Sequence, residues 1–204
     1  MLNLIALVVF AYLLGSFPSA YIATEMKKGL DIRRVGTHNA GATNVLLVVG
    51  PLFAVLVYVA DLFKGIVPVL LARNIIGTDF SMGLCGLAAI LGHDFSIFLK
   101  FTGGKGVATT TGVMFGINSV IITIIIFIWP FLVALYNNFI LASLMSMVFI
   151  PVLMYFFKLS GTFVAFGISY FLVGLYTHRE DVVRIINGKH IKASEGIKDY
   201  FSHH

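Results

Sequence analysis

The sequence predicts an all-α integral membrane protein of about seven transmembrane or partly re-entrant helices, with its N-terminus outside and its C-terminus in the cytoplasm. Three observations carry this. The 204 residues are 59% hydrophobic and only 11% charged, with a mean hydropathy of +0.98. That is more apolar surface than one core of this size can hide, so lipid must be the solvent for much of it. From Gly106 to Phe157 there is no Asp, Glu, Lys or Arg. At about 1.5 Å per helical residue, this stretch far exceeds a hydrocarbon core of about 30 Å. Third, the basic residues can be gathered on one side of the membrane by a single choice of topology.

The apolar runs cover residues 2–24, 51–71, 80–99, 107–136, 139–157 and 161–176. No basic residue precedes the first run, so it is expected to stay as a membrane helix and not to act as a cleaved signal. Run 107–136 decides the topology. Read as one helix, it gives six spans and parts the basic tail from Lys100 and Lys105. Broken at Asn118-Ser119, it gives seven elements, the first of the pair short or re-entrant. One side then holds Lys27, Lys28, Arg33, Arg34, Lys100, Lys105, Arg179, Arg184, Lys189, Lys192 and Lys198. Only Arg73 and Lys158 fall opposite, and Lys64 lies within a span. The positive-inside bias favours the broken version. The chain is read as a single polytopic domain, 1–204, with a short cytoplasmic tail over about 178–204. The net charge of +5 belongs to cytoplasmic loops, with no nucleic acid partner expected. Cys85 is the only cysteine, which excludes a disulfide framework and a zinc spacing.

With this topology the polar chemistry collects on the cytoplasmic face. Gly103-Gly104-Lys105-Gly106 opens an apolar helix carrying Thr109. Glycines allow backbone N–H groups to approach an anion, the helix N-terminus adds unpaired donors, and Lys105 adds a full charge. The plainer alternative is a surface turn with a snorkelling lysine. The segment Gly36-Thr37-His38-Asn39-Ala40-Gly41-Ala42-Thr43-Asn44 follows Asp31 and Arg33. It reads as a polar binding loop, or as helix capping for one or two of its residues. Asp61 and Lys64, three apart on one helical face, either line a polar cavity or form a structural ion pair. His93 and His178 close two apolar runs. A lone histidine there is more often an interfacial residue, although His178 with Arg179 and Arg184 also makes an anion site. Trp129-Pro130 reads as interface belt and kink, with no function attached.

Taken in order, these segments resemble the bacterial acyl-phosphate:glycerol-3-phosphate acyltransferases. The resembling pieces are Gly15-Ser16-x-Pro18, Asp31-Ile32-Arg33 with residues 36–44, Asp61-x-x-Lys64-Gly65 and Gly92-His93 leading to Phe98-Leu99-Lys100-Phe101. Further on come Gly103-Gly104-Lys105-Gly106-Val107-Ala108-Thr109, Leu141-Ala142-Ser143, His178-Arg179-Glu180 and Arg184. The match runs from about residue 10 to about residue 190. The resemblance implies acyl transfer from an acyl-phosphate to the 1-hydroxyl of glycerol 3-phosphate, giving lysophosphatidic acid and phosphate at a bacterial cytoplasmic membrane. It implies catalytic roles for Thr37, Lys105 and His178. Thr37, where the family usually has Ser, would hydrogen-bond a reacting group, Lys105 would hold phosphate, and His178 would assist proton movement. Arg33, Gly36, Asn39, Asn44, Lys64, Gly103, Gly104, Gly106 and Thr109 would form the substrate and phosphate sites. Membrane lipid is the surrounding partner, and neither a cofactor nor a metal is expected.

The sequence departs from that family's pattern at Leu47, Thr102 and Asn137, where a cation is usual. It also departs at Ser96 for Pro, Ile140 for Ser, Asp181 for Asn and His190 for Glu. A charge-assisted contact is worth roughly 1.5–3 kcal/mol where it is made. The rival expectation is therefore a non-catalytic relative acting as a binding or regulatory membrane protein. A small transporter of a phosphorylated solute is the third reading. It is disfavoured because the polar residues lie almost entirely on one face.

Overall fold

The computed structural model describes residues 1–187; Lys189, His190, Lys192 and Lys198, counted above, lie outside the described residues. All regular structure among the described residues is helical. The helices fall into two compact units, Met1–Ser119 and Val120–His204.

The first unit begins with α1 (Leu2–Ser16) and α2 (Ser19–Lys28), so the first apolar run is not one continuous helix. Pro18 is the cause: it has no N–H to give, and its ring opposes a helical residue before it. The chain turns at Phe17-Pro18, and Ser19 N–H reaches back to Phe17 O at 3.0 Å. Residues 29–41 form the first polar loop. Then come α3 (Ala42–Val48), α4 (Pro51–Ile75) and α5 (Asp79–Asp94). Proline at the first position of α4 gives up a donor that would be unpaired anyway. Thr78 caps α5 by accepting from Ser81 N–H at 3.2 Å. Residues 95–106 form the second polar loop, and α6 (Val107–Ile117) follows.

Glycines set how closely these helices pack. A methyl at Gly15 or Gly92 would collide with the backbone of α5 or α1, at Ala89 O and Tyr12 O respectively. Gly65 and Gly112 do the same between α4 and α6, meeting Thr109 O and Leu62 O. Such close backbone approach is how helices gain packing energy where no water is displaced. Tyr12 Oη adds a hydrogen bond to Phe95 O at 2.8 Å, and Arg73 reaches Ile117 O at the end of α6 at 3.1 Å.

The second unit comprises α7 (Ser119–Tyr136), α8 (Phe139–Phe156), α9 (Gly161–Thr177) and α10 (Arg179–Ile186). The break expected at Asn118-Ser119 is present: Asn118 is extended, ending α6, and α7 starts at the next residue. Asn137 stands at φ 48°, a left-handed turn that asparagine tolerates, and Asn138 caps α8 through Ile140 and Leu141 N–H at 2.9 Å. Trp129 has a partner that the belt reading omitted. Its indole N–H donates to Ser143 Oγ at 3.2 Å, and its ring stacks on Phe139.

Five stretches are long and apolar enough to cross a membrane: Leu2–Lys28, Pro51–Ile75, Asp79–Leu99, Ser119–Tyr136 and Phe139–Phe156. Val107–Ile117 and Gly161–Thr177 are shorter apolar helices. At about 1.5 Å per residue, α6 is roughly half a bilayer long, which fits the partly re-entrant element expected there.

Candidate active site

The first polar loop is built on two side chains. Asp31 opens a 3-10 turn over Ile32–Arg34 by accepting from Arg33 N–H at 3.0 Å. Its carboxylate then grips the Arg33 guanidinium twice, from Nε at 3.0 Å and from a terminal nitrogen at 2.7 Å. This pair holds the Asp31 carboxyl below its ordinary range and raises Arg33 in turn, chiefly through the shared hydrogen bonds. The other terminal nitrogen of Arg33 donates to Leu99 O at 2.9 Å and Thr102 Oγ1 at 2.8 Å, tying the first loop to the second.

Asn44, fully buried at the start of α3, is the other fixing point. Its Nδ2 donates to Ile32 O, Val35 O and Asn39 O at 2.9–3.0 Å, and its Oδ1 accepts Thr37 N–H at 2.9 Å. Gly36 lies at φ 60°, and a methyl there would strike the Asn44 amide. Gly36 and Asn44 thus shape the loop from within. What the loop presents is different. Thr37 Oγ1 and the Asn39 amide, both half-buried, make no hydrogen bond among the described residues.

The second loop folds back on the end of α5. Lys100 and Phe101 both take positive φ, 55° and 61°, which costs energy for residues with a Cβ. Gly103 N–H donates to Asp94 O at 3.0 Å and Gly104 N–H to His93 O at 3.1 Å. The two N–H groups expected to cradle an anion are therefore bonded inside the protein. A methyl on Gly104 would overlap the His93 ring, and one on Gly106 (φ 68°) would lie 2.9 Å from Asp94 Oδ1. Beyond Gly106, Thr110 N–H bonds Gly106 O at 2.7 Å. The N–H groups of Val107, Ala108 and Thr109 are the orphan donors of a first helical turn, without partners among the described residues. Lys105, half-buried, stands immediately before them. Thr109 is fully buried, and its hydroxyl has no partner among the described residues.

Beneath both loops lies a buried charge cluster. Lys64 is 3% exposed, and its ammonium donates to Asp61 Oδ1 at 2.6 Å, Ser19 Oγ at 3.0 Å and Phe17 O at 2.5 Å. Phe17 O sits at the C-terminal end of α1, where a cation is favoured. Ser19 Oγ also donates to Asp61 Oδ1 at 2.5 Å, and His93 Nδ1 stands 3.8 Å from that same oxygen. The three hydrogens of Lys64 are thus engaged within the protein, one of them in the ion pair with Asp61. One narrow cleft joins these parts, bordered by Ser19, Tyr21, Ala40, Lys64, His93 and Gly104.

These features match known proteins along most of the chain. The family model described as glycerol-3-phosphate acyltransferase covers residues 5–188. The chain belongs to the glycerol-3-phosphate acyltransferase family. Relatives bearing that description include one from Prochlorococcus marinus (strain NATL1A), 35% identical over 92% of this chain and 96% of its own. Another, from Endomicrobium trichonymphae, is 39% identical over 91% of this chain and 94% of its own. Two solved structures of PlsY, an integral membrane glycerol 3-phosphate acyltransferase, share the fold. The glycerol 3-phosphate form has a TM-score of 0.89 at 32% identity, covering 93% of this chain and 95% of that one. The lysophosphatidic acid form has a TM-score of 0.86 at 30% identity, covering 96% and 98%.

Within this member of the family, two departures from the usual pattern have local explanations. Thr102 gives Arg33 a neutral acceptor where a lysine would set like charges side by side. Ser96 donates to Ser16 O at 2.5 Å, fastening the end of α5 to the break in the first span. His178 lies in the second unit at the junction of α9 and α10, 3% exposed. Its Nδ1 is 2.8 Å from Gly174 O. A carbonyl only accepts, so Nδ1 carries a proton and donates it there. Asp181 is buried one turn further along. In the sequence Ser19 carries no signal of its own, and His93 reads as an interfacial residue. Their interest lies in what they touch across long sequence separations; Gly15-Ser16-x-Pro18 and Gly92-His93 were the signals pointing to them.

Proposed function

We propose that this chain moves a fatty acyl group from an acyl-phosphate to the 1-hydroxyl of glycerol 3-phosphate. The products are 1-acylglycerol 3-phosphate and inorganic phosphate, made at the cytoplasmic face of a bacterial inner membrane. The observation carrying this reading is the division of donors in the first unit. Arg33, Asn44, Lys64, Gly103 and Gly104 hold the loops in place. Thr37, Asn39 and the first turn of α6 keep donors uncommitted to other described residues, and Lys105 stands beside that turn. Both substrates are phosphate esters or anhydrides, which such donors suit.

In this mechanism Lys105 and the N–H groups of Val107, Ala108 and Thr109 hold a substrate phosphate and screen its charge from the second anion. Thr37 and Asn39 donate hydrogen bonds to the reacting carbonyl as it becomes a tetrahedral oxyanion. The C–O bond to glycerol 3-phosphate forms, the bond from the acyl carbon to the bridging oxygen breaks, and phosphate leaves with the electron pair. The hydroxyl proton goes to a substrate phosphate. The donor is already activated, so alignment and charge stabilisation supply most of the rate.

The test is product formation in lipid from labelled glycerol 3-phosphate, with palmitoyl-phosphate and palmitoyl-CoA as rival donors. Lysophosphatidic acid formed from the acyl-phosphate alone supports the reading. Preference for the thioester, or no product from folded protein beside an active relative, refutes it. The second outcome would leave the non-catalytic relative standing.

A further inference from the structure

The geometry points to His93 as a positioning residue: its ring, packed beside Asp61, is the platform that sets the place of Gly104 and therefore of Lys105 and the first turn of α6. This rests on the assignment of Lys105 to a substrate phosphate. Four observations carry it. The space a Cβ would take on Gly104 is filled by the imidazole, with Cδ2 and Cε1 at 2.9 Å and Nε2 closer still. The other ring nitrogen, Nδ1, faces Asp61 Oδ1 at 3.8 Å, and that oxygen is held by Ser19 Oγ and Lys64 Nζ. The main chain repeats the contact, since His93 O and Asp94 O accept the N–H groups of Gly104 and Gly103. Finally, His93 is 7% exposed, buried beneath the loop, so it acts through its neighbours and not on substrate.

The arrangement gives Gly104 a reason that differs from the phosphate-cradle one. Its N–H is bonded to His93 O, so its lack of a side chain serves the imidazole below and not an anion above. The loop before it takes positive φ at Lys100 and Phe101, conformations that cost energy and need support from the surrounding contacts. A misplacement of about 1 Å at a catalytic group costs on the order of 10²-fold in rate. A platform under Lys105 therefore has measurable consequences.

The experiment is a double-mutant cycle on the full chain in lipid, using Gly104→Ala, His93→Ala and both together. Palmitoyl-phosphate and glycerol 3-phosphate are each varied, and melting temperature serves as the check on folding. Gly104→Ala should lose on the order of 10²-fold in kcat/KM, because its methyl overlaps the ring. His93→Ala should raise KM for one substrate about tenfold while leaving the other near the parent value, a split that general destabilisation does not give. The double variant should be at least as active as Gly104→Ala, since the methyl then enters the space the ring vacated. His93→Gln, which restores a polar group under Gly104, should recover part of the His93→Ala loss. Multiplicative losses in the double variant, or a folded His93→Ala with parent KM and kcat, would overturn the proposal.

A second readout separates this from the catalytic assignment. The rate at which an amine-reactive ester modifies Lys105, read by mass spectrometry against exposed Lys27, should change in His93→Ala. A parent with no turnover would sink the acyltransferase reading. The labelling ratio would still decide the platform, and an unchanged ratio would refute it.

Discussion

At the scale of single residues, the division between groups that shape the site and groups that face it makes distinct demands on side chains of similar polarity. Asn44 places an amide nitrogen among three carbonyls and its oxygen on Thr37 N–H. Asn44→Asp presents an oxygen to those carbonyls in place of a donor. Each buried group left unpaired costs about 1–3 kcal/mol. Asn44→Asp should therefore unfold at lower temperature than Asn44→Ala, read by thermal denaturation in detergent. Thr37→Ala should lose activity with an unchanged melting temperature, and Thr37→Ser should retain it. Equal losses in both Thr37 variants would remove the hydroxyl from the mechanism. Asp31 gives a pH test. Arg33 holds its carboxyl below the unfolded value of about 3.9, so its contribution is complete at neutral pH. That contribution is lost as pH falls through the folded value. Asp31→Asn should lower the melting temperature at pH 7 and converge with the parent once the pH falls below the folded value of the Asp31 carboxyl.

Among the elements, the short helix α6 depends on its glycine contacts with α4. Gly65 meets the backbone at Thr109 and Val113, and Gly112 meets Leu62 O. Gly65→Val should push α6 away from α4 and move its first turn. We expect a loss of kcat/KM of about 10²-fold in protein that still melts cooperatively, because position suffers before folding does. Much at this scale was legible in the sequence. Asn118-Ser119 marked the end of α6 because basic residues on either side required another element, and Gly106 marked its start. The break at Phe17-Pro18 was less legible, since the apolar run continues through it and hydropathy has no term for a missing N–H. The roles of Lys64 and of Gly103-Gly104 were the least legible. A lysine in a span and a double glycine before a helix have the composition of a phosphate site. Only the fold shows their donors meeting Phe17 O, His93 O and Asp94 O, carbonyls that leave no trace in residue identity.

On the scale of the whole molecule, belonging to the family and the membrane-protein class rest on the matched length of chain. The orientation in the membrane is a separate proposal, resting on where the basic residues fall. It predicts that a cysteine replacing Lys27 or Lys100 is labelled by an impermeant maleimide only after the cytoplasmic side is exposed. One replacing Lys158 should react from outside in intact cells, with Cys85 removed to clear the background. The reverse pattern would invert the topology and place the cleft on the outer side.

The most direct measurement of the central claim is turnover of labelled glycerol 3-phosphate with palmitoyl-phosphate by the parent and by Lys105→Ala, side by side in lipid. The account predicts lysophosphatidic acid from the parent and a loss of about 10²–10³-fold in the variant, the range for removing one transition-state donor. Full activity in Lys105→Ala would contradict it, because the turn before α6 would then not be where substrate phosphate is held.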